Sequence, residues 1–306
     1  MMLFLFGFLN NYCMLQLVHC SQHLNQRTDT TTATLDYGSV AYAACAKNPW
    51  TFIRRLKHPA RTAVNAAIVG LQMGICSVFI VFMAVHLSAW AKEVCGLEWT
   101  PVQWMLALLP SLILLNFTRT LRLLSYISVV KNIIFVLAVV FVVQYLLFTA
   151  PHVPLSSLPP ITDLSGLAIA GGSALYAFEG QAMVLPLENK IRNPTRMVGP
   201  FGVLSIGMGV VSCVYASVGV CGYVAYGEKV EGSISLNLPH QPLFVAVQLF
   251  LVLLIFFGYP LQQYVIVDMV WPGIERRLLE GKFVPTRMLL PVELGFRALL
   301  VAIASK

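Results

Sequence analysis

Charge is what this sequence most lacks. Only 11% of its 306 residues are Asp, Glu, Lys or Arg, whereas 58% are hydrophobic. A water-soluble domain of this length needs roughly 25% charged residues to cover its surface. Most of the chain must therefore face something other than water. Catalytic punctuation is also absent: there is no Gly-rich phosphate loop, no H-E-x-x-H and no persuasive nucleophile–base spacing, so the expectation is that the protein is not an enzyme and holds no cofactor. The seven cysteines do not read as a disulfide framework. Cys13, Cys20, Cys76, Cys213 and Cys221 fall in apolar runs, where a thiol is a small packing residue, and Cys95 has no loop partner on its side.

What is present is a series of long apolar runs. A bilayer-spanning helix needs about 20 largely apolar residues, and the candidates are Leu3–Leu24, Ala63–Ala91, Val102–Phe117, Leu123–Thr149, Leu164–Leu187, Gly199–Tyr226, Leu243–Trp271 and Met288–Ala304. Hydrocarbon leaves backbone polar groups no water to bond, so only helices or closed barrels cross it. These runs are too long and too continuously apolar for barrel strands of about 10 alternating residues. The expected class is an all-α polytopic membrane protein of about eight transmembrane helices, with the lipid bilayer as its main partner.

The basic residues orient it. Arg27, Lys47, Arg54, Arg55, Lys57 and Arg61 follow the first run, and Arg119 and Arg122 the third. Lys190, Arg192 and Arg196 follow the fifth, and Arg276, Arg277, Lys282 and Arg287 the seventh. The intervening loops hold only Lys92 and Lys229. By the positive-inside rule the basic loops are cytoplasmic, so the net charge of +7 is a topology signal and no nucleic-acid partner is expected. The first run then passes from outside to inside without a basic flank or signal-peptide cleavage site, which predicts a preceding helix and a chain truncated at both ends. The glycosylation spelling Asn116-Phe117-Thr118 lies at a cytoplasmic end and is not expected to be modified.

The fifth run carries the chemistry. Thr162 or Asp163 can cap its outer end, and Gly166, Gly171, Gly172, Gly180 and Pro186 loosen regular helix along it. Glu179 stands about fifteen residues in, roughly 22 Å along the axis, inside the hydrocarbon. An ionised carboxylate there costs about 2.5–3.5 kcal/mol and marks a functional site by default. Interrupted helices near the midplane are how many secondary transporters bind substrate and coupling ions. A break at Phe178–Gly180 would free N–H and C=O groups for a ligand, with Glu179 taking a substrate ammonium or a proton. The alternative is a glycine-packed helix whose Glu179 is bonded to a neighbour for structure alone.

The stretch Ala174-Leu-Tyr-Ala-Phe-Glu-Gly-Gln-Ala-Met-Val-Leu-Pro-Leu-Glu-Asn-Lys190 resembles the sixth-helix signature of the proton-coupled amino-acid transporters, solute carrier family 36, within the amino acid/auxin permease group. Ser205–Val211 and Gly232–Pro239 resemble that family's seventh helix and following loop, Leu108–Leu115 its fourth helix and Cys76–Phe82 its third. The resemblance covers nearly the whole chain. It implies a partial five-plus-five inverted-repeat (LeuT-like) transporter fold, a single incomplete transporter domain over residues 1–306 equivalent to family helices two to nine. It also implies proton-coupled symport of small neutral amino acids of the glycine, alanine and proline class. Tyr176, Phe178, Glu179 and Gly180 are then the expected substrate-binding residues, with Glu179 the proton-coupling candidate. The family's first helix, with its histidine linked to proton coupling, has no counterpart here, and Phe79 stands where the family often has tyrosine.

Other residues carry weaker signals. Glu188, beside Lys190 and Arg192, is a gate candidate or a solvated loop acid. His19 and His23 share a helix face but lack a third ligand, so no metal site is expected. His86, His152 and His240 read as solvated residues at outer ends of spans rather than sensors of external pH. Lys131 is expected to snorkel to the cytoplasmic face, Arg297 to pair with Glu293 one turn earlier, and Tyr259-Pro260 to break the seventh span, with Gln262, Gln263, Tyr264 and Asp268 lining an inner vestibule. The location implied is the plasma membrane or a lysosomal or endosomal membrane. The rival functional readings are an amino-acid sensor or scaffold on an endolysosomal membrane, a receptor or channel, and a truncated product that transports nothing.

Overall fold

The computed structural model describes residues 2–26, 36–118, 121–154, 163–189, 191, 193–239, 241–281, 285 and 288–305. Every long element is a helix: α1 (Met2–Gln26), α2 (Tyr37–Ala46), α3 (Thr51–Arg55), α4 (Lys57–Cys95), α5 (Pro101–Asn116), α6 (Leu121–Phe148), α7 (Leu164–Ala177), α8 (Val184–Glu188), α9 (Val203–Tyr226), α10 (Pro242–Glu280) and α11 (Leu289–Ala304). Local chemistry starts several of them. Thr100 and Gln103 form a reciprocal capping box with Pro101 at the first turn of α5. Asp163 accepts the Gly166 N–H at 3.0 Å to begin α7, while Thr162, the other cap candidate, lies outside the described residues.

Among the described residues five helices are long and apolar enough to cross a membrane: Met2–Asn25, Lys57–Cys95, Ser128–Phe148, Val203–Lys229 and Leu243–Glu280. The other three expected spans differ in physical detail. Helices α5 and α11 are apolar but only 16 residues each, and the fifth span is not one helix but two. The polar stretch between the first two spans, read as loop, folds into α2 and α3, and α4 and α10 run past the hydrocarbon limits at 39 residues apiece. Pro260 does not break α10. It sits inside a continuous helix, where packing of the fully buried Tyr259 with Cys76, Ile80, Met83 and Leu112 makes the missing N–H tolerable.

The chain divides into two compact units, each built from two separate stretches: 1–68 with 152–227, and 69–151 with 228–306. In the first, α1 packs on α9, α7 and α8, around Met14, Val18, Val184 and Met197. In the second, α10 packs on α5, α6 and α11. Several of its buried polar side chains bond to one another or to backbone, as burial favours. Arg297 donates to Glu293 Oε1 from Nη2 at 2.9 Å and from Nε at 3.1 Å, both side chains being 5% exposed, so the expected pairing holds. Its remaining amino group reaches the Asn116 carbonyl at 3.1 Å, closing the end of α5. Gln263 and Gln262 bond within the packing rather than facing a vestibule: Gln263 donates to the Arg297 carbonyl at 2.7 Å, and Gln72 donates to Gln262 Oε1 at 2.5 Å. Tyr264 donates to Asp268 at 3.1 Å in an exposed position.

Three further expectations change. His86 is not a solvated loop residue. It is 2% exposed, its Nδ1–H meeting the Phe82 carbonyl at 2.9 Å and its Nε2 facing Ser235 Oγ at 2.8 Å, because the loop after α9 folds down onto α4. Lys131 does not snorkel away: its ammonium lies against Gly258 of α10, which has no side chain to exclude it. Asn116 is buried with its amide donating to the Leu112 carbonyl at 2.8 Å, which takes the sequon nitrogen out of reach. His152 is exposed, and His240 lies outside the described residues. Cys13, Cys20, Cys45, Cys76, Cys95, Cys213 and Cys221 are free thiols.

Candidate functional site: an interrupted helix

Helix α7 runs 14 residues from Asp163, about 21 Å at 1.5 Å per residue, and stops at Ala177. Phe178 leaves helical geometry at φ −97° and ψ 28°, and Gly180 adopts φ +151°. Only glycine takes that conformation without strain. A 3₁₀ turn over Gln181–Met183 follows, and α8 completes the passage at Glu188. Pro186 has no N–H for the Ala182 carbonyl, so the ladder stays open on the inner side as well. The break falls at Phe178–Gly180, where glycine content and the placed acid put it.

Broken backbone inside a membrane is tolerated where neighbouring groups satisfy it, and α1 and α2 supply them. Asn10 of α1 donates from Nδ2 to the Phe178 carbonyl at 2.5 Å and accepts from Gln181 Nε2. Tyr37 of α2 donates its hydroxyl proton to the Gln181 carbonyl and accepts the Leu185 N–H at 3.3 Å. Gly7 makes the close approach possible: a Cβ there would stand 2.8 Å from Ser212 Oγ and 2.9 Å from the Phe178 ring. Phe178 is thereby buried, its ring centroid 5.9 Å from that of Tyr215 on α9.

Of the residues expected at the site, Phe178, Glu179 and Gly180 form the break itself and Tyr176 lies less than one turn above it. Glu179 is half-buried, with the Tyr215 phenol within electrostatic reach, and Tyr176 and Gly180 are exposed. Glu188 is elsewhere, at the far end of α8. It is 5% exposed, so it is not a solvated loop acid. Burial pushes its carboxyl above the ordinary carboxylate value, while hydrogen bonding from Ser21 and Gln22 of α1 pulls the other way. Lys190 and Arg192, its expected ionic neighbours, lie outside the described residues. Sequence reasoning missed Asn10, Tyr37, Gln181 and Tyr215. Only Asn10-Asn11 left a trace, as two amides inside an apolar run. His19 and His23 are exposed on α1, and among the described residues no group of three or more His, Cys, Asp or Glu side chains is placed to hold a metal.

Apolar helices of membrane-crossing length, with one passage broken midway, are those of a multi-pass integral membrane protein. The chain belongs to the transmembrane amino acid transporter protein family, whose model matches residues 1–305. That family is one of carriers, not enzymes. Among similar proteins, the probable amino acid transporter skat-1 of Caenorhabditis elegans is 32% identical over 280 residues, 90% of this chain and 60% of the relative. The proton-coupled amino acid transporter-like protein pathetic of Drosophila melanogaster is 28% identical over 281 residues, 89% of this chain and 56% of the relative. The chain thus spans about 60% or less of the length of these relatives. No solved structure matches it.

Proposed function

We propose that the protein is a secondary active transporter that carries small neutral amino acids, of the glycine, alanine and proline class, together with protons across the plasma membrane or a lysosomal or endosomal membrane. The observation that carries this reading is the interruption of the α7–α8 passage at Phe178–Gly180 with a carboxylate on the break. A carboxylate on an irregular stretch of backbone suits the ammonium of an amino acid, which needs directional hydrogen bonds in a place without bulk water. Tyr176, Phe178, Glu179 and Gly180 line the substrate's position, Glu179 holds the coupled proton, and Glu188 acts at the inner gate. The name of the fly relative, a proton-coupled amino acid transporter-like protein, supports the proton, and a substrate with a short side chain suits a site flanked by glycine.

Helix lengths support a single transport domain of the five-plus-five, LeuT-like kind. Helices α1, α4 and α5 have 25, 39 and 16 residues, and α9, α10 and α11 have 24, 39 and 16. The two series differ by one residue in their first member and otherwise agree, in chain order. Within the two units, α1 packs on α9 and α5 on α11, which pairs corresponding members of the series. A duplicated ancestral unit leaves such a pattern, and the chain then supplies helices two to nine of the fold. A membrane potential of 100 mV contributes about 2.3 kcal/mol per charge, enough for roughly fifty-fold accumulation with one proton per substrate.

The test is uptake of labelled glycine, alanine and proline into proteoliposomes with an imposed pH gradient. Gradient-driven uptake is expected, and Glu179→Gln should abolish the pH dependence while the protein still inserts. Full, pH-dependent uptake by that variant would remove Glu179 from the mechanism, and the absence of uptake by the wild-type protein would overturn the transport reading.

A further inference from the structure

In an uninterrupted α-helix the Leu185 N–H would donate to the Gln181 carbonyl. Here the Tyr37 hydroxyl occupies that bond, donating to the carbonyl and accepting from the amide at 3.3 Å. A side chain inserted into the i→i−4 ladder is an established cause of a helix kink. Tyr37 comes from α2, outside the membrane-spanning helices, and not from a neighbouring span.

We propose that Tyr37 is a positioning residue: a wedge that holds the interrupted helix open on its inner side and ties α8 to α2. The proposal rests on the transport reading for its functional consequence but not for its geometry. Three features seat the wedge. Asp36 caps α2 by accepting the Ser39 N–H at 2.6 Å, which fixes the first turn that carries Tyr37. Gly38 lets the Asn65 amide of α4 lie directly on the α2 backbone, where a Cβ would stand 2.8 Å from its carbon. The Tyr37 ring packs on Leu24, Val40 and Leu185. Burial raises the phenol's pKa to about 12, so its proton is present to donate throughout the physiological range. Pro186 keeps the next ladder position from closing in its place. Asn10 of α1 holds the opposite side of the gap through the Phe178 carbonyl, and α1 also packs on α8, so Tyr37 adds to those α1 contacts a bond that ties α8 to α2. Tilting of α8 during a transport cycle must then either carry α2 with it or break the Tyr37 bonds.

Tyr37→Phe keeps the ring and removes the hydroxyl. In reconstituted protein, hydrogen–deuterium exchange over 181–189 should quicken about tenfold while exchange over 203–226 stays as in wild type. Turnover per folded molecule should change about fivefold, with KM for the amino acid within about twofold. Unchanged exchange over 181–189 would overturn the wedge. Faster exchange with unaltered turnover would reduce Tyr37 to a structural prop and overturn its positioning role. If Tyr37→Phe does not fold, Asp36→Ala, which loosens the same turn, should quicken exchange in the same segment, and failure to do so counts against the wedge. Wild-type protein that transports nothing would sink the transport reading, whereas the exchange measurement would still decide the wedge.

Discussion

Two passages of this molecule are punctuated by residues that disfavour helix, and only one of them breaks. Helix α10 carries Pro260 and Pro272 and continues for 39 residues. The α7–α8 passage contains Pro186 near its end, yet opens six residues earlier, at Gly180. A proline removes one donor, and in α10 close packing of Tyr259 makes the loss tolerable. A glycine at φ +151° redirects the chain, and the groups it frees are claimed by side chains from α1 and α2. The comparison teaches that a break in lipid needs partners for its backbone as much as it needs a helix-breaking residue.

The comparison can be broken at several points. The largest effect is expected in the packing that keeps α10 and α11 regular. Arg297→Leu leaves the Glu293 carboxylate buried without its cation, which should cost about 3–5 kcal/mol of stability. The double variant with Glu293→Leu should recover much of it, read by denaturant unfolding in detergent; an additive double variant would mean that the pair is not coupled. Next comes Gly180→Ala, which imposes about 1–3 kcal/mol of backbone strain and should reduce uptake more than tenfold. Pro260→Ala, the matching change in α10, should leave uptake within about twofold and stability within about 1 kcal/mol. Reversal of that order would contradict the account of the break.

A smaller effect concerns Glu188. Its folded-state pKa lies above the ordinary 4.5 because burial disfavours the charge. Both states are protonated well below 4.5, so the penalty is absent there. As pH rises from that value through the raised one, the unfolded chain loses its proton first and stability falls. Glu188→Gln should abolish this step, giving a flatter dependence of melting temperature on pH between acid and neutral conditions. An unaltered slope would place the titration elsewhere.

Sequence alone carried the architecture a long way because lipid imposes strict rules. Apolar runs of bilayer length marked the passages, and the break was legible from Gly180, Pro186 and an acid that hydrocarbon would not otherwise accept. The misreadings share one cause. Whether Pro260 breaks α10, whether His86 is wet and where the Lys131 ammonium rests all depend on what packs beside them, and the local sequence is silent on that. Tyr37 is the clearest case. It begins a short helix in a polar segment, and nothing around it announces a bond to residues more than 140 positions away. Asn10 was more accessible, since an amide in an apolar helix requires a partner.

The most direct test of the claim that the α7–α8 break lies on the route of the solute uses Tyr176, exposed less than one turn above the break. With the seven native cysteines replaced, Tyr176→Cys should react with a water-soluble thiol reagent in proteoliposomes. Saturating glycine, alanine or proline should slow that reaction severalfold. A labelling rate indifferent to every amino acid tried, in protein that still takes them up, would contradict the account.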